Sequence, residues 1–129
     1  MKTILLATSA LLALAGSVSA ETVRLGTEGA YAPYNFLNDK GEVDGFERAL
    51  GDELCKRAEL DCTWVTNEWD SIIPNLTGGN YDAIIAAMSI NPERREKIEF
   101  TTPYLPPAPS SYLAMDEGAN LDGVIAVQV

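Results

Sequence analysis

The chain has 129 residues, of which 47% are hydrophobic and 22% charged; 9 basic and 19 acidic side chains leave a net charge of −10, and there is no histidine. That balance argues against nucleic acid or an anionic membrane surface as partner, and it suits either a cationic ligand or plain solubility. Without histidine there is no Ser-His-Asp or Cys-His arrangement and no histidine-based zinc site, and neither metal nor cofactor is expected.

Residues 1–20 read as a signal peptide. Lys2 gives a short positive start, Ile4 to Ala15 is apolar, and Val18-Ser19-Ala20 places small residues before a cleavage point. The apolar run is too short to span a bilayer and no later segment is long enough, so the remainder is expected to be exported and soluble, without direct membrane insertion. No cysteine follows the cleavage point to carry a lipid anchor. An oxidising destination makes Cys55 and Cys62 a disulfide pair rather than a redox or metal site, and the short loop they close adds about 2.5 kcal/mol in a chain-entropy account. The length beyond residue 20 suits one small domain and is too little for two.

In chain order, Thr22 to Gly26 alternates as a first strand, and Thr27 to Tyr34 follows as a loop carrying Glu28, Tyr31 and Tyr34. Loops just past strand ends are where open α/β sheets hold ligands. Asn38 to Gly41 is a turn. Phe46, Leu50, Leu54 and Ala58 then recur every four residues, a helical stripe expected to be buried, with Lys56 and Arg57 at the end where cations suit the dipole. Cys62 to Val65 starts the next strand, with Trp64 expected in the core. Asn67 to Asp70 opens a second helix whose buried face is Ile72, Ile73 and Leu76; Pro74 is expected in its first turn, and Trp69, ahead of the stripe, is free to face a cleft. Gly78-Gly79-Asn80 ends it.

Asp82 to Arg95 is the stretch around which the site is expected to form. Ala83 to Met88 has the length of a buried strand, and Ser89, Asn91 and Pro92 then break it. Asn91 is placed to cap a helix over Pro92 to Lys97, Pro92 suits its first position, and Glu93 suits the positive end of its dipole. A strand delivered into a helix start, with the Ser89 hydroxyl and the Arg94 guanidinium beside it, outlines an anion site; the same turn also occurs simply to reverse a chain. Beyond it, Pro103, Pro106, Pro107 and Pro109 make a connecting path or an edge. Ser111 to Met115 is expected to be extended, Asp116 to Asn120 a turn, and Gly123 to Val129 a further strand. Strand and helix alternating in this way imply an α/β fold with an open, mostly parallel sheet and helices on both faces.

Several stretches together carry a resemblance: TEGAYAPYNF (Thr27 to Phe36), GFERALGDELCKR (Gly45 to Arg57) with its cysteine pair, WDSIIPNL (Trp69 to Leu76), YDAIIAAMSINPERR (Tyr81 to Arg95) and FTTPY (Phe100 to Tyr104). In this order, and behind a signal peptide, they closely resemble the periplasmic polar-amino-acid and opine-binding proteins of ABC importers, the two-lobed type II solute receptors. The resemblance implies a non-enzymatic, monomeric receptor in the periplasm that captures a polar, basic amino acid or opine and delivers it to a membrane permease. It implies that Arg94, with Ser89, holds the ligand's α-carboxylate. The α-ammonium falls to strand-end groups at Ala86 and Ala87, where relatives often carry serines and this chain offers only its backbone. Tyr31 and Trp69 would sandwich the ligand's side chain, and Glu28 would meet a cationic group on it.

On this reading residues 21–115 form the first lobe, and 116–129 are the crossover and first strand of a second lobe that is essentially missing. Weak or absent binding by this chain alone is expected, and poor stability if a final strand leaves an open sheet edge. Two other readings stay open. One is a dehydratase-like enzyme on the same fold, with Glu28, Glu47 or Asp70 as its acid or base; the other is an extracellular amino-acid-sensing module.

Overall fold

A computed structural model describes residues 22–107, 109, 111–120 and 122–126. The signal peptide read over residues 1–20 lies outside the described residues.

Strand β1 (Thr22–Thr27) is the centre of a three-stranded parallel sheet of order β5-β1-β6. It pairs in register with β5 (Asp61–Thr66), from Thr22 opposite Asp61 to Thr27 opposite Thr66, and with β6 (Ala83–Ile84) through Leu25 and Gly26. Between β1 and β5 the chain builds a small antiparallel sheet, β2 (Ala30–Tyr31), β3 (Asn35–Leu37) and β4 (Val43–Asp44), followed by helix α1 (Phe46–Arg57). Helix α2 (Trp69–Thr77) returns the chain to the far side of β1, and α3 (Pro92–Arg95) follows β6. The expected α/β architecture is present as a single lobe.

Alternation along β1 separates the two faces of the parallel sheet. Gly26, Val65 and Ile84 point to one face, where Ile72, Tyr81 and Ala86 form an apolar cluster flanked by Trp69, Ile73, Leu76 and Met88. Tyr81 lies flat on Gly26, whose absent Cβ would sit 2.6 Å from the ring. Its hydroxyl donates to the Ile72 carbonyl, and burial raises its pKa. Leu25, Trp64 and Ala83 point to the opposite face, toward α1.

Helix α1 turns a different side to the sheet than its leucines suggest. Phe46 and Leu54 are 44% and 52% exposed, while Glu47 and Gly51 are buried. The reason is close approach: a Cβ at Gly51 would come within 2.5 Å of the Trp64 ring, so only the Glu47–Gly51 line can seat against the sheet. Trp64 is half-buried rather than core, and its Nε1 donates to Asp52. The disulfide Cys55–Cys62 joins the last turn of α1 to β5.

The turn at Asn38 to Gly41 forms as expected, with the Asn38 side chain accepting from the Lys40 and Glu42 N–H groups. The expected loop over 27–34, however, contains β2. Strands of two residues show no alternation to read. Pro74 is the sixth residue of α2, not in its first turn; it lies on the exposed side, where water can bond the carbonyl that its missing N–H leaves free. Strand β6 ends at Ile84 instead of Met88, and beyond it Ala87 takes a left-handed backbone (φ 47°). Helix α3 stops at Arg95 rather than Lys97. Ser111 to Met115 and Gly123 to Ala126 form no strand, and residues 127–129 lie outside the described residues. Among the described residues no helix is long and apolar enough to cross a membrane.

Candidate functional site

All three parallel strands end at one edge of the sheet, and the chain leaving each carries the residues singled out above. β1 runs into Glu28, Gly29 and Tyr31, β5 into Asn67 and Trp69, and β6 into Ala86, Ala87 and Ser89. The chain after β1 leads to α1 on one face and the chain after β5 to α2 on the other, which opens a crevice between them.

Arg94 is placed by α3. Asn91 caps that helix, its Oδ1 accepting from the Arg94 N–H at 2.8 Å, and Pro92 occupies the first helical position. The guanidinium reaches back: Nη1 donates to the Ser89 carbonyl at 2.9 Å, and Cζ lies 5.3 Å from the Trp69 ring centroid. This cation-π contact and the single carbonyl bond fix the fork while leaving N–H groups for a carboxylate. Ser89, Arg94 and Trp69 are thus brought together. Trp69 and Arg94 line an open groove of about 600 Å³ with Asp70, Met88 and Lys97.

Glu28 and Tyr31 do not line this groove. Glu28 is half-buried; Tyr31 is exposed, its ring 5.2 Å from that of Tyr34. Ala86 is buried in the apolar cluster. The Ala87 N–H is already engaged, by Glu47 and by the Tyr104 hydroxyl, so the group this residue can offer an ammonium is its carbonyl.

Glu47 organises this edge, a role that sequence reasoning did not assign to it. It is fully buried in the first turn of α1, and no lysine or arginine among the described residues pairs with it. Its charge is met by the helix N-terminus and by neutral donors: Oε2 accepts from Asn35 Nδ2 at 2.6 Å, and Oε1 accepts from the Ala87 N–H and from the Tyr104 hydroxyl. Asn35, also fully buried, passes the connection on, its Oδ1 accepting from the Gly29 N–H at 2.7 Å. The helix start is fixed by the same loops, since the Phe46 and Glu47 N–H groups donate to the carbonyls of Pro33 and Tyr34. Gly45 permits that approach with φ 111°, where a Cβ would lie 2.5 Å from the Tyr34 oxygen. Burial, then the bond to Glu47 and its charge, raise the Tyr104 pKa. Asn35, Glu47 and Tyr104 all lie in the stretches that carry the resemblance, but no local pattern marks their connection to one another.

At the opposite edge of the sheet, Arg24 clamps Asp82 with its backbone N–H and its guanidinium. These bonds hold the Asp82 carboxyl at about 2. Among the described residues no cluster of three or more His, Cys, Asp and Glu side chains is arranged to hold a metal ion.

Residues 23–121 match the bacterial extracellular solute-binding proteins, family 3. An octopine-binding periplasmic protein of Rhizobium meliloti is 47% identical over 74% of this chain and 33% of its own length. A crystal structure of a periplasmic His/Glu/Gln/Arg/opine family-binding protein from Silicibacter pomeroyi, in complex with lysine, is 71% identical with a TM-score of 0.75, over 77% of this chain and 45% of that one. The arginine-bound form of domain 1 from TmArgBP, as its Phe57Trp mutant, is 30% identical with a TM-score of 0.62, over 65% of each chain. The chain thus spans a third of the first and under half of the second.

Proposed function

Because this chain belongs to the bacterial extracellular solute-binding proteins of family 3, we propose that it is the first lobe of a periplasmic receptor for a basic amino acid or opine. The observation that carries this is the juxtaposition of Ser89, Arg94 and Trp69 at the sheet edge where Glu28, Tyr31 and Ala87 also emerge. Arg94 pairs with the ligand's α-carboxylate through a two-pronged bond that lysine cannot reproduce. The Ala87 carbonyl takes the α-ammonium. Tyr31 and Trp69 flank the aliphatic stem, and Glu28 meets the cationic end.

The wider role follows the family. Residues 1–20 direct export to the periplasm, residues 21–115 form the lobe, 116–129 lead toward a second lobe, and the loaded receptor, a monomer, hands its ligand to an ABC-type permease. Lysine in the Silicibacter complex and octopine in the Rhizobium relative's name support the basic-ligand class. Binding rather than catalysis is supported by those relatives; of the three candidate acids, Glu47 has both oxygens occupied inside the fold. The arginine-bound single domain supports capture by one lobe.

Titration calorimetry of the chain with L-lysine, L-arginine and octopine tests this. At least one should bind, Arg94→Lys should weaken it about tenfold to a hundredfold, and Glu28→Gln should weaken lysine and arginine more than glutamine. Lack of binding to all three ligands would overturn capture by the lobe alone, and affinities indifferent to Arg94 would overturn the assigned carboxylate site.

A further inference from the structure

We propose that Glu47 is a positioning residue for the ligand site: its buried carboxylate holds the Glu28–Gly29 loop and the Ala86–Ala87 segment in the relative placement from which they meet a ligand. The inference rests on the receptor reading for its consequence in binding, but its geometry stands independently.

The bonds connect pieces of chain that lie far apart in sequence, and they add side-chain fixation to the backbone pairing of β1 with β6. Oε2 reaches Asn35 and, through it, the Gly29 N–H beside Glu28; Oε1 reaches the Ala87 N–H and Tyr104. The residue so held, Ala87, has a left-handed backbone that an alanine adopts only where its surroundings enforce it. A bond from a buried carboxylate to its N–H is such an enforcement. It also directs Ala87's polar groups, taking the N–H inward and leaving the carbonyl for an ammonium.

The polarity of the network is directional. Asn35 must turn its oxygen to the Gly29 N–H and therefore its amino group to position 47, so position 47 must accept from both sides. A glutamine cannot do this. With its oxygen kept on Ala87 and Tyr104, its amino group faces the Asn35 amino group; if Asn35 flips, the conflict passes to the Gly29 N–H, in the ligand loop. Replacing Asn35 by aspartate at the same time moves the charge from one side chain to its neighbour and restores every bond, since the new carboxylate would accept from both the glutamine amino group and the Gly29 N–H.

The test compares the unaltered chain, Glu47→Gln, and Glu47→Gln with Asn35→Asp, by amide hydrogen exchange at Gly29 without ligand and by titration with L-arginine. Glu47→Gln should speed Gly29 exchange and weaken L-arginine binding by the folded protein, each by about tenfold, and the double variant should return both toward their original values. The proposal is overturned if Gly29 exchange in Glu47→Gln is unchanged, if arginine binds that variant as tightly as before, or if the double variant is no better than the single. Should the single variant not fold, a double variant that folds with the original Gly29 protection supports the proposal, and one that does not overturns it. Failure of the unaltered chain to bind arginine counts against capture by the lobe alone, while the exchange data still decide the geometry.

Discussion

The two faces of the central sheet differ in how much buried polarity they carry. Against α2 the sheet buries Ile72, Tyr81 and Ala86, an apolar cluster with one internal hydroxyl bond. On the α1 side, Asn35 and Glu47 are fully buried and polar, as is Thr27, whose hydroxyl has no partner among the described residues. The apolar face gains stability from any close packing of the right volume, whereas the polar face gains only if each donor meets its acceptor. The α2 side therefore serves as the foundation, and the α1 side specifies where the loops of the candidate site stand.

That difference can be broken from the apolar side first. Ile72 is 1% exposed at the centre of its cluster, and Ile72→Ala should cost about 2–5 kcal/mol of stability in urea unfolding. A loss under about 1 kcal/mol would mean that this face is not close-packed. On the other face, Gly51→Val forces side-chain atoms into the Trp64 ring; the expected loss is about 1–3 kcal/mol, with a change in tryptophan fluorescence as α1 lifts.

Titration sharpens the contrast further. Tyr104 keeps its proton longer in the folded protein than its ordinary 10.0 allows, so stability is unaffected below that pH and declines as pH rises above it. Tyr104→Phe should flatten the alkaline limb; an unchanged limb would show that the hydroxyl does not face Glu47. The smallest effect is expected at Asp82, which is about 42% exposed and held at about 2 against an ordinary 3.8. Its contribution is present above pH 4, fades as pH falls toward 2, and should vanish in Asp82→Asn. Added salt should weaken it as well, which the Glu47 network should resist.

Local chemistry was enough for some of this molecule. Asn91 and Pro92 declare a helix start, Gly78 an end, Asn38 to Gly41 a turn and Cys55 with Cys62 a disulfide, because each depends on its own φ/ψ preferences or on partners a few residues away. The order of the three parallel strands and the helices after them, and the placement of Glu28, Trp69, Ser89 and Arg94 just past strand ends, follow from the same short-range patterns, whereas the antiparallel sheet β2-β3-β4 does not. What only the tertiary structure decided is which side of α1 faces inward and what Glu47 does there. Phe46, Leu50 and Leu54 repeat every four residues as a buried face would, yet the close contact of Gly51 with Trp64 outweighs them. An acid in a helix's first turn reads as a companion of the dipole. Glu47 becomes the organiser of the site through partners 12, 40 and 57 residues away, and no local pattern records a burial that depends on such distant donors.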